Sequence, residues 1–96
     1  MTLDALRRDK RESILQAARK NGARNVRVFG SVARGEAGAE SDVDFLVELE
    51  SGRTLMDLGG FLSALQELLD TRVDVATERM LKPTVREQVL RDATPL

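Results

Sequence analysis

Apolar positions along this chain change period several times, and each change marks an element. Behind Thr2, a candidate N-cap, Leu3, Leu6, Ile14, Leu15 and Ala18 recur at helical spacing, with the polar stretch from Arg7 to Ser13 predicting a short first turn and then the main helix. Asn21-Gly22 ends it, because glycine supplies the left-handed conformation common just past a helix. Asn25 to Phe29, where β-branched Val26 and Val28 alternate with polar residues, predicts a strand. Gly30-Ser31 breaks that strand, and Ser31 to Arg34 predicts the first turn of a helix capped by Ser31. A loop from Gly35 to Ser41 follows, with Ser41 as a cap or turn residue.

From Asp42 to Glu50 the period becomes two. Val43, Phe45, Val47 and Leu49 fall on one face of this second strand, and Asp42, Asp44, Leu46 and Glu48 on the other. Thr54 with Asp57 resembles a capping box, and Leu55, Leu58, Leu62, Leu65 and Leu69 then mark the buried stripe of a long helix. Gly59 and Gly60 weaken that helix, which predicts close packing against a neighbouring backbone. Val73 and Val75 mark a third strand with Asp74 on its opposite face. Lys82-Pro83 opens a last helix with Val85, Val89 and Leu90 as apolar positions, and Thr94-Pro95 stops it. The order αβαβαβα predicts an α/β (α+β) fold, one small mixed sheet with helices packed on it, forming a single domain over residues 1–96.

Composition narrows the chemistry by what it lacks. With no Cys and no His, the chain has no disulfide, thiolate nucleophile, Cys/His zinc site or His-based triad, so acid–base or metal chemistry falls to carboxylates. Fifteen basic against sixteen acidic residues give a net charge of −1, which offers no field for a polyanion, and no direct nucleic-acid binding is expected. Arg7, Arg8, Lys10 and Arg11 are interleaved with Asp4, Asp9 and Glu12 and read as a solvated helix face. No apolar run reaches the ~20 residues of a membrane span and the first residues lack a secretion-signal layout, so no membrane association and a cytoplasmic location are expected.

Each predicted strand meets something polar where a buried strand prefers apolar residues: Gly30-Ser31 after the first, Asp42 and Asp44 opening the second, Asp74 in the third. Two residues apart on a strand, Asp42 and Asp44 would have Cα atoms about 6.5–7 Å apart and carboxylates on one face. Such a pair repels itself unless a hard cation with oxygen ligands lies between, for which Mg²⁺ fits, and Asp74 from a neighbouring strand could complete the site. A pair of metal ions in that setting suits in-line phosphoryl or nucleotidyl transfer. Gly30-Ser31 at a strand-to-helix turn offers phosphate its backbone N–H groups and a hydroxyl, and a Cβ at position 30 would obstruct the approach of a triphosphate. Arg34, one turn later, has two uses open to it: a phosphate contact, or a salt bridge to Glu36 or a nearby carboxylate.

Gly30-Ser31, ten intervening residues and Asp42-Val43-Asp44 resemble the G-S-x₁₀-D-x-D signature of the DNA polymerase beta-like nucleotidyltransferase superfamily. The wider string F-G-S-V-A-R-G-E-A-G-A-E-S-D-V-D-F-L-V is similar to the minimal nucleotidyltransferases, and V-D-V-A at 73–76 matches their third carboxylate strand. The resemblance implies the polymerase beta-like fold. It also implies that Gly30 and Ser31 hold the triphosphate of ATP as substrate, that Asp42 and Asp44 ligate Mg²⁺, and that Asp74 joins the metal site as candidate general base. Family members are often encoded beside a helical ribonuclease toxin with a HEPN domain, which they silence by adenylylating a tyrosine. The resemblance therefore implies an antitoxin that transfers AMP to such a partner.

Other readings stand beside this one. A separate subunit could help the chain modify a small molecule such as an aminoglycoside, or the chain could be a non-catalytic antitoxin that acts by binding and keeps its aspartates as a structural metal site. Phe29, Phe45 and Phe61 are expected in the core, and with no Tyr or Trp the nucleobase would be held by aliphatic contacts and backbone bonds.

Overall fold

The computed structural model describes residues 1–38 and 42–96, so the turn role expected of Ser41 lies outside the described residues. Helical backbone runs without a break from Leu3 to Lys20, as α1 (Leu3–Ala5), a π-helical turn (Leu6–Lys10) and α2 (Arg11–Lys20). Thr2 caps it, its Oγ1 accepting from the Ala5 N–H at 3.1 Å. The polar stretch does not interrupt the helix as the pattern predicts; the widened π turn carries it through, and Leu6 and Ile14 on either side are both completely buried. Gly22 ends the run at φ +69°.

Among the described residues, four strands form one sheet in the order β3-β2-β1-β4. The first, β1 (Ala23–Phe29), pairs antiparallel with β2 (Val43–Leu49), which pairs in parallel with β3 (Val73–Ala76). The parallel pairing requires a crossover, supplied by α4 (Leu55–Leu69). A two-residue strand, β4 (Thr94–Pro95), lies against Arg27 and Val28 of β1. Thr94-Pro95 thus stops the last helix as expected but also adds an edge strand, a position proline tolerates because no ladder hydrogen bond is asked of its nitrogen there.

The ladder between β1 and β2 slips by one residue between Arg24 and Arg27. Asn25 sits in this bulge at φ +50°, a conformation asparagine tolerates better than most residues, and its Nδ2 donates to Glu48 Oε2 at 2.6 Å. Because of the slip, Ala23, Val26 and Val28 all face the core although their numbers change parity.

The two faces of the sheet carry different cargo. Val26, Val28, Val43, Phe45, Val47 and Val73 pack with Ile14 and Ala18 of α2 and with Leu58, Phe61, Leu65 and Leu69 of α4 in one apolar cluster. On the opposite face lie Arg27, Phe29, Asp44, Leu46 and Asp74, partly covered by α5 (Pro83–Asp92) through buried Val89. Phe29 therefore departs from the expected core: it pairs in register with Asp44 and is half-buried, while Phe45 and Phe61 are fully inside.

The capping box of α4 forms as its spacing predicts, with Thr54 Oγ1 accepting from Met56 and Asp57 Oδ2 accepting from the Thr54 N–H at 2.9 Å. Its buried stripe differs from the expected one. Leu55, in the first turn, projects past the edge of the core and is 72% exposed, and Phe61 takes a central place instead. Of the paired glycines, Gly60 lies against the Asn21 side chain rather than a backbone, and Gly59 faces open space. In α5 only Val89 of the three expected apolar positions is buried; Val85 and Leu90 are exposed.

Candidate active site

The parallel register of β2 and β3 sets Asp44 directly beside Asp74. Strand alternation sends both to the face away from the main core. Asp44 is half-buried and Asp74 exposed, so the pair forms an open ledge at the end of the sheet. Burial first, then the negative charges of the neighbouring Asp74 and Asp42, push the Asp44 carboxyl from 3.8 up to about 6, with Arg34 pulling the other way.

Asp42 lies just before the strand that the sequence pattern begins at it. The strand begins at Val43, so Asp42 stands one residue ahead of it. Its Oδ1 lies 3.0 Å from Nε of Arg72, an ion pair that the sequence reading missed. The signal for it was a basic residue directly before Val73-Asp74. Arg72 is also tied to the site through its main chain, because its carbonyl accepts from the N–H of Val43, the residue between the two aspartates, at 3.1 Å.

Across the ladder from Asp44 lies Phe29, and the chain turns immediately after it into α3 (Gly30–Arg34). Gly30 has φ +73°, and a Cβ there would meet Oδ2 of Asp44. The need for glycine thus arises from the aspartate as well as from the turn. Ser31 does not cap this helix as expected; the cap position is Phe29, one residue ahead of Gly30, which leaves Ser31 inside the first turn with no capping bond for its hydroxyl. Arg34 makes the salt bridge to Glu36, Nε to Oε2 at 2.7 Å, and a second to Asp92 of α5, Nη1 to Oδ2 at 2.7 Å. These bonds raise its pKa further. A cleft of about 400 Å³ lies behind α3, lined by Leu3, Val32, Ala33 and Ala37, and of the site residues only Arg34 reaches it.

The donor set fits a hard divalent cation. All candidate ligands are carboxylate oxygens, Asp42 Oδ1 is buried yet accepts no hydrogen bond, and Asp44 is held in a charge state that a cation would relieve. Among the described residues no three acidic side chains are drawn together as a ready-made cage, since Asp42 leans to Arg72 while Asp44 and Asp74 stand side by side.

An aspartate pair from adjacent parallel strands, faced by a glycine-serine turn, is the arrangement of a nucleotidyltransferase domain; residues 11–95 match that family's model, and the chain belongs to it. Its relatives narrow the class. The protein adenylyltransferase MntA of Thermococcus cleftensis is 41% identical over 86 residues, covering 84% of this chain and 87% of that protein. A solved structure assigned to the minimal nucleotidyltransferases is 54% identical, with a TM-score of 0.86 over 100% of this chain and 97% of that one. The fold alone is shared with a toxin–antitoxin crystal structure containing AMP-PNP, at 22% identity and a TM-score of 0.74 over 90% of this chain and 71% of that one. This chain is a minimal nucleotidyltransferase, an enzyme on the polymerase beta-like fold.

Proposed function

We propose that this enzyme transfers AMP from ATP to a hydroxyl of a partner protein, a tyrosine of a HEPN ribonuclease toxin encoded beside it, and so acts as its antitoxin. The observation that carries the reading is the register that sets Asp44 beside Asp74, with Gly30 packed against Asp44. The name of the Thermococcus relative, a protein adenylyltransferase, supports a protein acceptor, and the toxin–antitoxin fold neighbour with its ATP analogue supports the toxin as that acceptor.

In this reading the acceptor oxygen attacks the α-phosphorus of ATP, the bond from that phosphorus to the bridging oxygen of the β-phosphate breaks, and pyrophosphate leaves. The acceptor's proton passes to Asp74, the more exposed carboxylate of the pair. Gly30 and Ser31 receive the triphosphate through backbone N–H groups and the Ser31 hydroxyl. Arg34, fixed by Glu36 and Asp92, adds positive charge from the side. Mg²⁺, as one ion or two held by Asp42, Asp44 and Asp74, would offset the charge of the phosphates and make the acceptor oxygen a better nucleophile.

The test mixes the purified protein with the product of its neighbouring gene, Mg²⁺ and ATP, and weighs the partner by intact mass spectrometry. Gain of one or more adenylates, lost with Asp42→Ala/Asp44→Ala, is the expected result. Inhibition of the partner by a stable complex, with no mass gain and no need for ATP, would replace this reading with a binding antitoxin.

A further inference from the structure

We propose that Asp92, the last residue of α5, is a positioning residue of the active site, holding the Arg34 guanidinium in the orientation in which that cation meets the triphosphate. This rests on the nucleotidyl-transfer reading above and concerns how that site readies its arginine for the nucleotide. Asp92 stands where a carboxylate is poorly placed for stability alone. The negative end of the helix dipole falls on the last turn of α5, and the Asp92 side chain is only 11% exposed, so both its position and its enclosure work against its charge.

Its attachments make it a rigid anchor. The Asp92 carbonyl accepts from the Thr94 hydroxyl at 3.2 Å, and Thr94 is in register with Val28 of β1, the strand that leads into the Gly30 turn. One carboxylate oxygen accepts from Nε2 of Gln88 at 3.1 Å, and the other accepts from Nη1 of Arg34 at 2.7 Å. Glu36 takes Nε of the same guanidinium at 2.7 Å. Two carboxylates on different N–H groups fix the plane of a guanidinium, but these two are not equivalent. Glu36 lies two residues from Arg34 with its side chain 62% exposed, whereas Asp92 is enclosed, 58 positions away and tied to the sheet. Asp92 thus supplies the fixed direction. Among the described residues nothing else engages the guanidinium, which leaves Nη2 and its N–H groups for a ligand. The Arg34 charge reaches the site, since it opposes the upward shift of the Asp44 carboxyl. An arginine ordered in advance loses little side-chain freedom when a phosphate arrives, so its contacts appear as affinity.

The test is the affinity for a non-hydrolysable ATP analogue with Mg²⁺, by isothermal titration calorimetry, for wild type, Asp92→Ala, Asp92→Asn, Arg34→Ala and the double variant Arg34→Ala/Asp92→Ala, each also followed by thermal melting. Asp92→Ala should weaken binding roughly tenfold, because the cation remains but its direction is lost, and Asp92→Asn, which still offers Nη1 an oxygen, should stay within about threefold of wild type. With Arg34 already removed, the loss of Asp92 should add nothing, since it acts through that arginine. In partner adenylylation Asp92→Ala should raise the KM for ATP more than it lowers kcat. A lower melting temperature with wild-type affinity, or an equal further loss in the Arg34→Ala background, would make Asp92 a stabilising contact alone and overturn the assignment, leaving the nucleotidyl-transfer reading intact. If Asp92→Ala does not fold, Gln88→Ala, which loosens the carboxylate without removing it, takes its place, and unchanged affinity there overturns the assignment likewise. No binding by wild type would instead sink both.

Discussion

Gly30 and Asp44 are in direct contact: Oδ2 of the aspartate would clash with the β-carbon of any other residue at position 30. The turn that would cradle phosphate and the carboxylate that would hold the metal are therefore packed against each other. Gly30→Ala must strain a backbone at φ +73°, at a cost of about 1–2 kcal/mol, and also push the Asp44 carboxylate from its place beside Asp74. A lower melting temperature together with a loss of adenylate transfer of about 100-fold or more is expected, since small displacements of reacting groups are costly. A variant that melts lower yet transfers at the wild-type rate would break the link between the two residues.

Stability of the metal-free protein should fall as the pH rises through the window from 3.8 to about 6, where the folded state holds a proton on Asp44 that the unfolded chain has released, and should be level above it as far as this group is concerned. Asp44→Asn removes the repelled charge, so it should melt higher than wild type at pH 7 to 8 and transfer nothing. Circular dichroism melts across that pH range read the first effect and the mass assay the second.

Mg²⁺ should relieve the same repulsion. Above pH 6 the melting temperature of wild type should climb with Mg²⁺ concentration, as for any ligand bound only by the folded state. Asp42→Asn/Asp44→Asn should show no such climb, and chelation should abolish transfer by wild type. An equal response in wild type and the double variant would place the ion elsewhere.

Along α4 two neighbouring turns should behave oppositely. Phe61→Ala empties a fully buried site and should cost about 3–5 kcal/mol, enough to threaten the fold, whereas Leu55→Ala, at 72% exposure, should stay within about 0.5 kcal/mol of wild type. Thr54→Ala removes the capping box and should cost about 1 kcal/mol without touching transfer. Urea titrations of the three variants settle the ranking.

Much of this could be read from the sequence because it depends on local period and spacing. The first three strands and the capping box form close to where their patterns put them. What escaped depends on relations across the chain. Asp42 reads as part of a strand because nothing local says that the ladder with β3 starts at Val43. Leu55 obeys the helical period, but the core it would face ends before reaching it. The Asp92 contact of Arg34 spans 58 positions, and the Arg72–Asp42 pair joins residues on either side of an entire crossover helix. The two-residue β4 is too short for any alternation to register.

The bulge at Asn25 reaches further than its own hydrogen bonds. Strand faces are fixed by counting in twos, and one supernumerary residue resets the count for everything after it. Were Asn25 drawn into a regular ladder position instead, the rest of β1 would fall out of phase, carrying Arg27 and Phe29 toward the apolar cluster and Val28 out to the aspartates. The glycine turn would then leave the sheet on the wrong side of Asp44. A surface asparagine with no part in the chemistry is thus the phase mark by which this small sheet delivers its phosphate turn to its carboxylates.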